Sequence, residues 1–236
     1  MNRINQITIV TNWDGSDYYS KEYINRLYRA CCRNISMPFD FLLHIGPEAE
    51  KPGRLSGIDS HVRAVPVGLP SWWSSMAAFQ ANPPGVYTGS LLFIDLDCVI
   101  VGSLDDLITY PADLVLMKDY PAAHCPPGRD NDGNTGITLI RKGAGEKVWS
   151  EYVRHGMPTW DAMAPPPNQM LPLATMTIIN DPKNKIEKTL FPENWVASYK
   201  MQVRAHGLPD DCRIVHFHGR PKQHEVNEQF VWENWM

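Results

Sequence analysis

The chain lacks the features that would tie it to nucleic acid, to a membrane interior or to an oxidising compartment. Its 22 Lys and Arg are outnumbered by 26 Asp and Glu, so the formal charge is -4 and no basic excess exists to grip a nucleic-acid backbone. No apolar run approaches the ~18 residues that cross a bilayer, which speaks against an integral membrane segment. No charged-then-apolar leader precedes the first apolar stretch, Gln6-Ile7-Thr8-Ile9-Val10-Thr11, so the chain is expected to be soluble as encoded. The five cysteines are odd in number and none is spaced Cys-x-x-Cys; Cys31 and Cys32 are adjacent and cannot easily bridge one another. The pattern speaks against a disulfide framework and a zinc finger, and a reducing, cytoplasmic location is expected. Internal repeats and low-complexity tracts are also missing. At 236 residues there is enough chain for one large core and no need for two, so 1–236 is expected to be a single domain.

What is present alternates between strand and helix patterns. A turn cluster, Asn12-Trp13-Asp14-Gly15-Ser16, follows the first strand, and a helix is expected from about Asp17 to Cys32 because Tyr23, Ile24, Leu27, Tyr28 and Cys31 recur at helical spacing. Strands are expected at Phe39–Ile45, Val62–Val67, Asp113–Met117, Gly136–Ile140 and Arg213–Phe217, with helices at Trp72–Gln80, Glu146–His155 and Gln169–Ile179. Pro158 to Pro167 reads as a Pro-rich loop. The alternation implies an α/β fold with a mostly parallel central sheet flanked by helices, in which ligands gather at the carboxyl ends of strands.

One strand stands out. Leu91-Leu92-Phe93-Ile94-Asp95-Leu96-Asp97-Cys98-Val99-Ile100-Val101 is an apolar run fit for burial on both faces, interrupted by two acids spaced by one. Carboxylates in that setting cost stability unless something offsets them. Two of them about 5 Å apart repel by about 3 kcal/mol at an effective dielectric of 20, and a divalent cation would turn that repulsion into coordination. Asp-x-Asp alone is weak evidence, since Asp130-Asn131-Asp132 repeats it among loop residues where solvated acids need no function. The central-strand setting separates the two pairs.

A second constellation is Arg213-Ile214-Val215-His216-Phe217-His218-Gly219-Arg220-Pro221-Lys222. On a strand, His216 and His218 share one face, and an imidazole there can complete a carboxylate site for Mn(II) or zinc. Gly219 allows close backbone approach to a ligand, while Arg220 and Lys222 supply cations for phosphate. A third is Asn134-Thr135-Gly136, where the Asn is either a plain turn residue or an amide for a hydroxyl-rich ligand. Trp13, Trp72, Trp73 and Trp160 either line sugar or base subsites or serve the core.

These motifs, in this order, resemble the nucleotide-diphospho-sugar glycosyltransferases of the GT-A fold, and among them the glycogenin-like family 8 enzymes and related bacterial proteins. The likeness runs through nearly the whole chain. Thr11 and Asn12 at the first strand's exit resemble the nucleotide-binding opening, with Tyr18 or Tyr19 to stack on the base. Asp95 and Asp97, trailed by Leu104-Asp105-Asp106-Leu107, resemble the metal-binding strand. Asn134 and Gly136 match an Asn-x-Gly beside the donor sugar. His216, Gly219 and Lys222 match the C-terminal motif, whose His is a metal ligand and whose Lys meets the diphosphate. The resemblance implies a single GT-A-like, Rossmann-like domain, with a nucleotide-binding half (1–101) ending in the Asp-x-Asp strand and a sugar and acceptor half (102–236). It implies Mn2+ or Mg2+, a nucleotide-diphosphate sugar donor such as a UDP-sugar, and transfer with retention to a carbohydrate, lipid-linked glycan or protein acceptor. The acceptor could bring the chain to a membrane surface. Three departures stand beside the likeness: Asn168-Gln169 replaces the family's Asp-Gln, Ser74-Ser75-Met76 carries no basic residue where one is common, and Gln223-His224 follows Lys222. Gln169 and Asn168 are the nearest candidates to assist the chemistry.

Two other readings fit parts of the pattern. A haloacid-dehalogenase-type phosphatase also has an apolar strand ending in Asp-x-Asp, with Asp95 as nucleophile and Asp97 as general acid. That strand normally opens its fold, and the phosphatase reading leaves His216 to Lys222 without a role. A catalytically degenerate nucleotide-sugar-binding protein would explain Asn168 and Ser75.

Overall fold

The computed structural model describes residues 7–69, 71–86, 89–120, 132–154 and 174–235. Within them the strands are β1 (Ile7–Trp13), β2 (Phe39–Ile45), β3 (Arg63–Pro66), β4 (Leu91–Ile94), β5 (Cys98–Ile100), β6 (Leu114–Lys118), β7 (Gly133–Ile140), β8 (Thr189–Leu190), β9 (Val196–Ser198) and β10 (Ile214–His216). Seven form a main sheet in the order β3-β2-β1-β4-β7-β6-β8, and three form a second sheet, β5-β10-β9.

The main sheet begins as the parallel block expected from the alternation, β3-β2-β1-β4, and then takes in β7 antiparallel to both β4 and β6. Alternate side chains on each central strand enter different cores, as the two-residue repeat of a strand requires. Ile7 and Ile9 of β1 and Leu92 and Ile94 of β4 face one core, which α1 (Lys21–Asn34) covers with Tyr23, Ile24, Leu27, Ala30 and Cys31. Val10, Leu91 and Phe93 face the other, made with Met76 and Phe79 and with residues of α3 (Glu146–Arg154) and α4 (Ala174–Asn180). The short α2 (Asp105–Ile108) lies between β5 and β6. After β9 come five residues of π-helix, Tyr199–Val203, and a helical turn, α5 (Arg204–His206); α6 (Gln229–Asn234) closes the chain.

Three expectations change. The run Leu91–Val101 is not one strand: the chain leaves the main sheet after Ile94, and Cys98–Ile100 pairs antiparallel with β10 in the second sheet. Both pieces are buried on both faces, so apolar pattern alone cannot reveal the transfer. The helix expected at Trp72–Gln80 is a 3-10 helix at Ser71–Phe79. The first helix starts at Lys21 rather than Asp17, with Ser20 in an extended conformation before it. Pro158–Pro167 and the start of the expected Gln169–Ile179 helix lie outside the described residues.

The strand order sets the site. From β1 the chain steps outward to β2 and β3, then returns to lay β4 on the other side of β1. Open α/β sheets bind ligands at such a reversal, outside the carboxyl ends of the strands, and here those ends carry Asn12 and Asp95.

Candidate functional site

The transfer from β4 to β5 places Asp95-Leu96-Asp97 between the two sheets. The Asp95 amide donates to Gly136 O at 2.8 Å on the main-sheet side, and the Phe217 amide donates to Asp97 O at 2.8 Å on the second-sheet side. Gln223, fully buried, donates from Nε2 to Leu96 O (3.2 Å) and Cys98 O (3.3 Å), bracketing Asp97.

Antiparallel pairing sets Cys98 opposite His216, so His216 arrives directly beside Asp97. His216 Nε2 lies 3.1 Å from Asp97 Oδ1 and 4.0 Å from Asp95 Oδ2. Lys222 then returns from beyond Gly219: its Nζ donates to Asp97 Oδ2 (2.6 Å), to Phe217 O (3.2 Å) and to Tyr19 Oη (2.7 Å). Tyr19 Oη itself donates to Asp97 Oδ2 at 3.0 Å. Asp97, His216 and Lys222 are all buried.

Electrostatics follow from this packing. Burial alone would push the Asp97 carboxyl up, but the charge of His216, the hydrogen bond from it, and Lys222 together hold it well below the usual carboxylate range. Asp95 has only the weaker pull of His216, at 4.0 Å, and of Lys222. Desolvation and then the Asp97 charge push it up to about 7, although its tip is still 37 % exposed. Burial lowers His216, yet the Asp97 charge and hydrogen bond outweigh it and leave the imidazole raised.

The remaining expected residues fall around this centre. Gly136 is where a backbone must come close: a Cβ there would stand 2.9 Å from His216 Cε1 and 3.1 Å from its Nε2. Asn134 is held rather than free, accepting from the Gly136 amide at 2.8 Å and donating to Asp119 at 3.1 Å. Gly219 adopts φ +68°, in the region that favours glycine. Asn12 donates to Ser74 Oγ at 3.1 Å, while the buried Thr11 hydroxyl has no partner among the described residues. Tyr18 is 52 % exposed, and Lys222 Nζ stands 5.5 Å from its ring and 5.0 Å from that of Tyr19. Asn168, Gln169, Asp130 and Trp160 lie outside the described residues.

Some assignments move. Trp13 is core, 3 % exposed, and its indole donates to Tyr19 O at 3.0 Å, so it positions Tyr19 instead of lining a subsite. Trp73 is buried likewise against Tyr152. Arg220 is spent on Glu225. Asp105 and Asp106 secure the scaffold, accepting from the Ser36 amide (3.0 Å) and from Arg213 (3.1 Å).

Three contributors escape sequence reasoning. Tyr120 stacks on His218 with ring centroids 4.5 Å apart and places its hydroxyl 3.3 Å from His216 Nδ1. Gln223 braces Asp97, and Cys98 puts its sulfur within 4.8 Å of donor atoms of Asp97 and His216. No local signal marks the first two, since their partners are distant in sequence. Burial, then Asp97 and Asp95, push the Cys98 thiol well up.

Molecules of known structure share this architecture. No family model matches the chain, and no curated protein matches it. The galactosyltransferase LgtC, solved with donor and acceptor sugar analogues, superposes with a TM-score of 0.58 at 14% identity, over 92% of this chain and 88% of LgtC. The bifunctional glycosyltransferase WbbM gives 0.62 at 14% identity over 98% of this chain, which spans 50% of WbbM. GlyE of Streptococcus pneumoniae TIGR4 gives 0.57 at 13% identity over 98% of this chain and 62% of GlyE. The fold is that of GT-A-like glycosyltransferases. At these identities the likeness establishes this glycosyltransferase fold and no more, and chemistry must come from the side chains.

The donor set fits a hard divalent cation. Two carboxylates from the β4–β5 link and an imidazole from β10 converge, and oxygen-rich sites with one His suit Mn(II) or Mg(II) better than a thiol-selecting metal.

Proposed function

We propose that this glycosyltransferase-fold chain is a metal-dependent enzyme that moves a sugar from a nucleotide-diphosphate donor, a UDP-sugar, to a carbohydrate, lipid-linked glycan or protein acceptor, with retention of configuration. The observation that carries the reading is the meeting of Asp97, His216 and Lys222 beside Asp95 at the strand-order reversal. Asp95, Asp97 and His216 would hold Mn2+ or Mg2+, which supplies Lewis-acid neutralisation of the leaving diphosphate. Lys222 adds a fixed ammonium whose orientation Asp97 and Tyr19 already set, so little reorganisation is needed as charge develops. Gly136 and Gly219 keep the approach free of side chains. The alternating exposure of Tyr18 and Tyr19 offers an aromatic face for a base, with Tyr19 also fastened to the charged centre. Gln169, with Asn168, is assigned to the sugar's reacting carbon. LgtC has been solved as an active-site variant with glutamate in place of a glutamine, the residue type of Gln169.

The phosphatase reading fares worse on geometry. Its general acid would be Asp97, but that carboxyl is gripped by Lys222 and His216 and kept ionised. A degenerate sugar-nucleotide binder would share the whole binding site, and only turnover separates it.

Thermal unfolding with UDP, GDP or CDP, each with and without MnCl2, tests the proposal. With UDP and Mn(II) together at roughly 100 times Kd, the midpoint should rise by about 5 °C or more. Hydrolysis of a UDP-sugar should accompany it. No shift with any diphosphate, or para-nitrophenyl phosphate turnover without a nucleotide, would sink the reading; a shift without hydrolysis or transfer would favour the degenerate binder.

A further inference from the structure

Just beyond the second sheet lies a cation, Lys200, that neither the motif reading nor the proposed metal centre uses. β9 runs parallel to β10 in register, Ser198 opposite His216. Beyond the last pair the two chains stay side by side. Tyr199 stacks on Phe217 with ring centroids 4.4 Å apart, and Ser198 Oγ meets His218 Nε2 at 2.9 Å. Ser198 also accepts from the Met201 amide at 3.2 Å, fixing the first turn of the π-helix that follows. These contacts deliver Lys200 against Gly219: a Cβ on Gly219 would stand 2.9 Å from Lys200 Nζ.

Lys200 is half-buried and makes no hydrogen bond or ion pair with the described residues. Lys222, by contrast, is anchored on Asp97. The Lys200 ammonium thus faces Gly219, while that of Lys222 is held on Asp97 and the Phe217 carbonyl two residues earlier, one neutralised and one not. Burial and the neighbouring Lys222 charge both push the Lys200 ammonium down, with only Asp97 opposing. A like-charged arrangement of this kind costs stability in the free protein and is offset when an anion sits between the two groups.

We propose that Lys200 is a second diphosphate-binding residue, which with Lys222 clasps the phosphates of the donor across the Gly219 turn. The assignment rests on the nucleotide-diphosphate reading given above. It places the second cation on the β9 side of the site.

Binding of UDP, UMP and inorganic pyrophosphate, each with MnCl2, should be measured by calorimetry for the native chain, Lys200→Gln and Lys200→Arg, alongside their ligand-free melting temperatures. Lys200→Gln should bind UDP and pyrophosphate about tenfold more weakly, change UMP less, and show a shallower dependence on NaCl. Its ligand-free midpoint should hold or rise, and Lys200→Arg should retain most of the affinity. If native protein binds the diphosphates and Lys200→Gln binds them equally well, the Lys200 assignment is overturned while the functional reading stands. A lowered ligand-free midpoint with affinity unchanged would make Lys200 merely structural. If the native chain binds neither UDP nor pyrophosphate, both fail.

Discussion

Asp95 and Asp97 are chemically the same residue type two positions apart, and their surroundings give them opposite properties. Asp97 accepts from His216, Lys222 and Tyr19 and stays ionised; Asp95 has an imidazole only at 4.0 Å and bears the repulsion of its neighbour. That asymmetry is one that the proposed cation would balance. It predicts a conflict between stability and binding at one position. Asp95→Asn should raise the ligand-free stability at pH 8 by about 1 kcal/mol, a Coulomb cost discounted for partial exposure, while abolishing the Mn(II)-dependent shift with UDP. Urea unfolding and the thermal-shift assay read the two effects separately, and an Asp95→Asn protein that keeps its Mn(II) response would remove Asp95 from the ligand set.

The β7 strand contributes to the site by what it omits. Its Gly136 carbonyl holds the Asp95 amide, and its missing side chain leaves room for the His216 ring. Gly136 has an ordinary strand conformation, so an alanine there meets no backbone penalty and reports the close approach alone. His216 cannot step aside, being wedged against Asp97 on one side with the Tyr120 hydroxyl on the other. Gly136→Ala should therefore cost about 2 kcal/mol of stability, the usual range for overpacking, and weaken Mn(II) binding. A melting curve and a metal titration check it; unchanged values for both would mean that β7 and β10 can separate freely. The β4–β5 transfer is the complementary case, since it exists only because β10 offers Cys98–Ile100 a partner that the main sheet does not.

At the scale of the molecule, both faces of the main sheet are covered, and polar groups trapped between layers couple stability to pH. His44, on β2, is fully buried with Nε2 3.0 Å from Pro84 O. Burial pushes its imidazole down to about 4, against 6.5 in an open chain. The folded state therefore favours the neutral ring, and the unfolded state binds more protons between those two values. Stability is fully present above pH 6.5 and is lost as pH falls toward 4, by roughly 3 kcal/mol in total. His44→Gln, which can keep a donor toward Pro84 O, should flatten that part of the curve in denaturant titrations run from pH 4 to 7. A slope that persists unchanged would assign the pH dependence to other groups. No helix among the described residues is long and apolar enough to cross a membrane.

Several parts of this architecture were legible in the residues. The apolar runs and helical spacing set β1, α1 and β2, and the chemical oddity of acids in a buried strand marked Asp95 and Asp97. His216, Gly219 and Lys222 were marked by type and order. What the sequence could not supply was anything depending on a partner far along the chain. β8 and β9 are two and three residues long, too short to show a period, and the 3-10 helix at Ser71–Phe79 shares its apolar composition with an ordinary helix. The split of the acidic strand between two sheets was hidden because burial on both faces looks the same in either sheet. Sequence alone determined which groups carry charge, because that is a property of side chains. Tertiary structure alone decided that Lys222 would neutralise Asp97 and not Asp95, and that Lys200 would face Gly219. Those outcomes are distances, set by how β5 and β9 pair with β10.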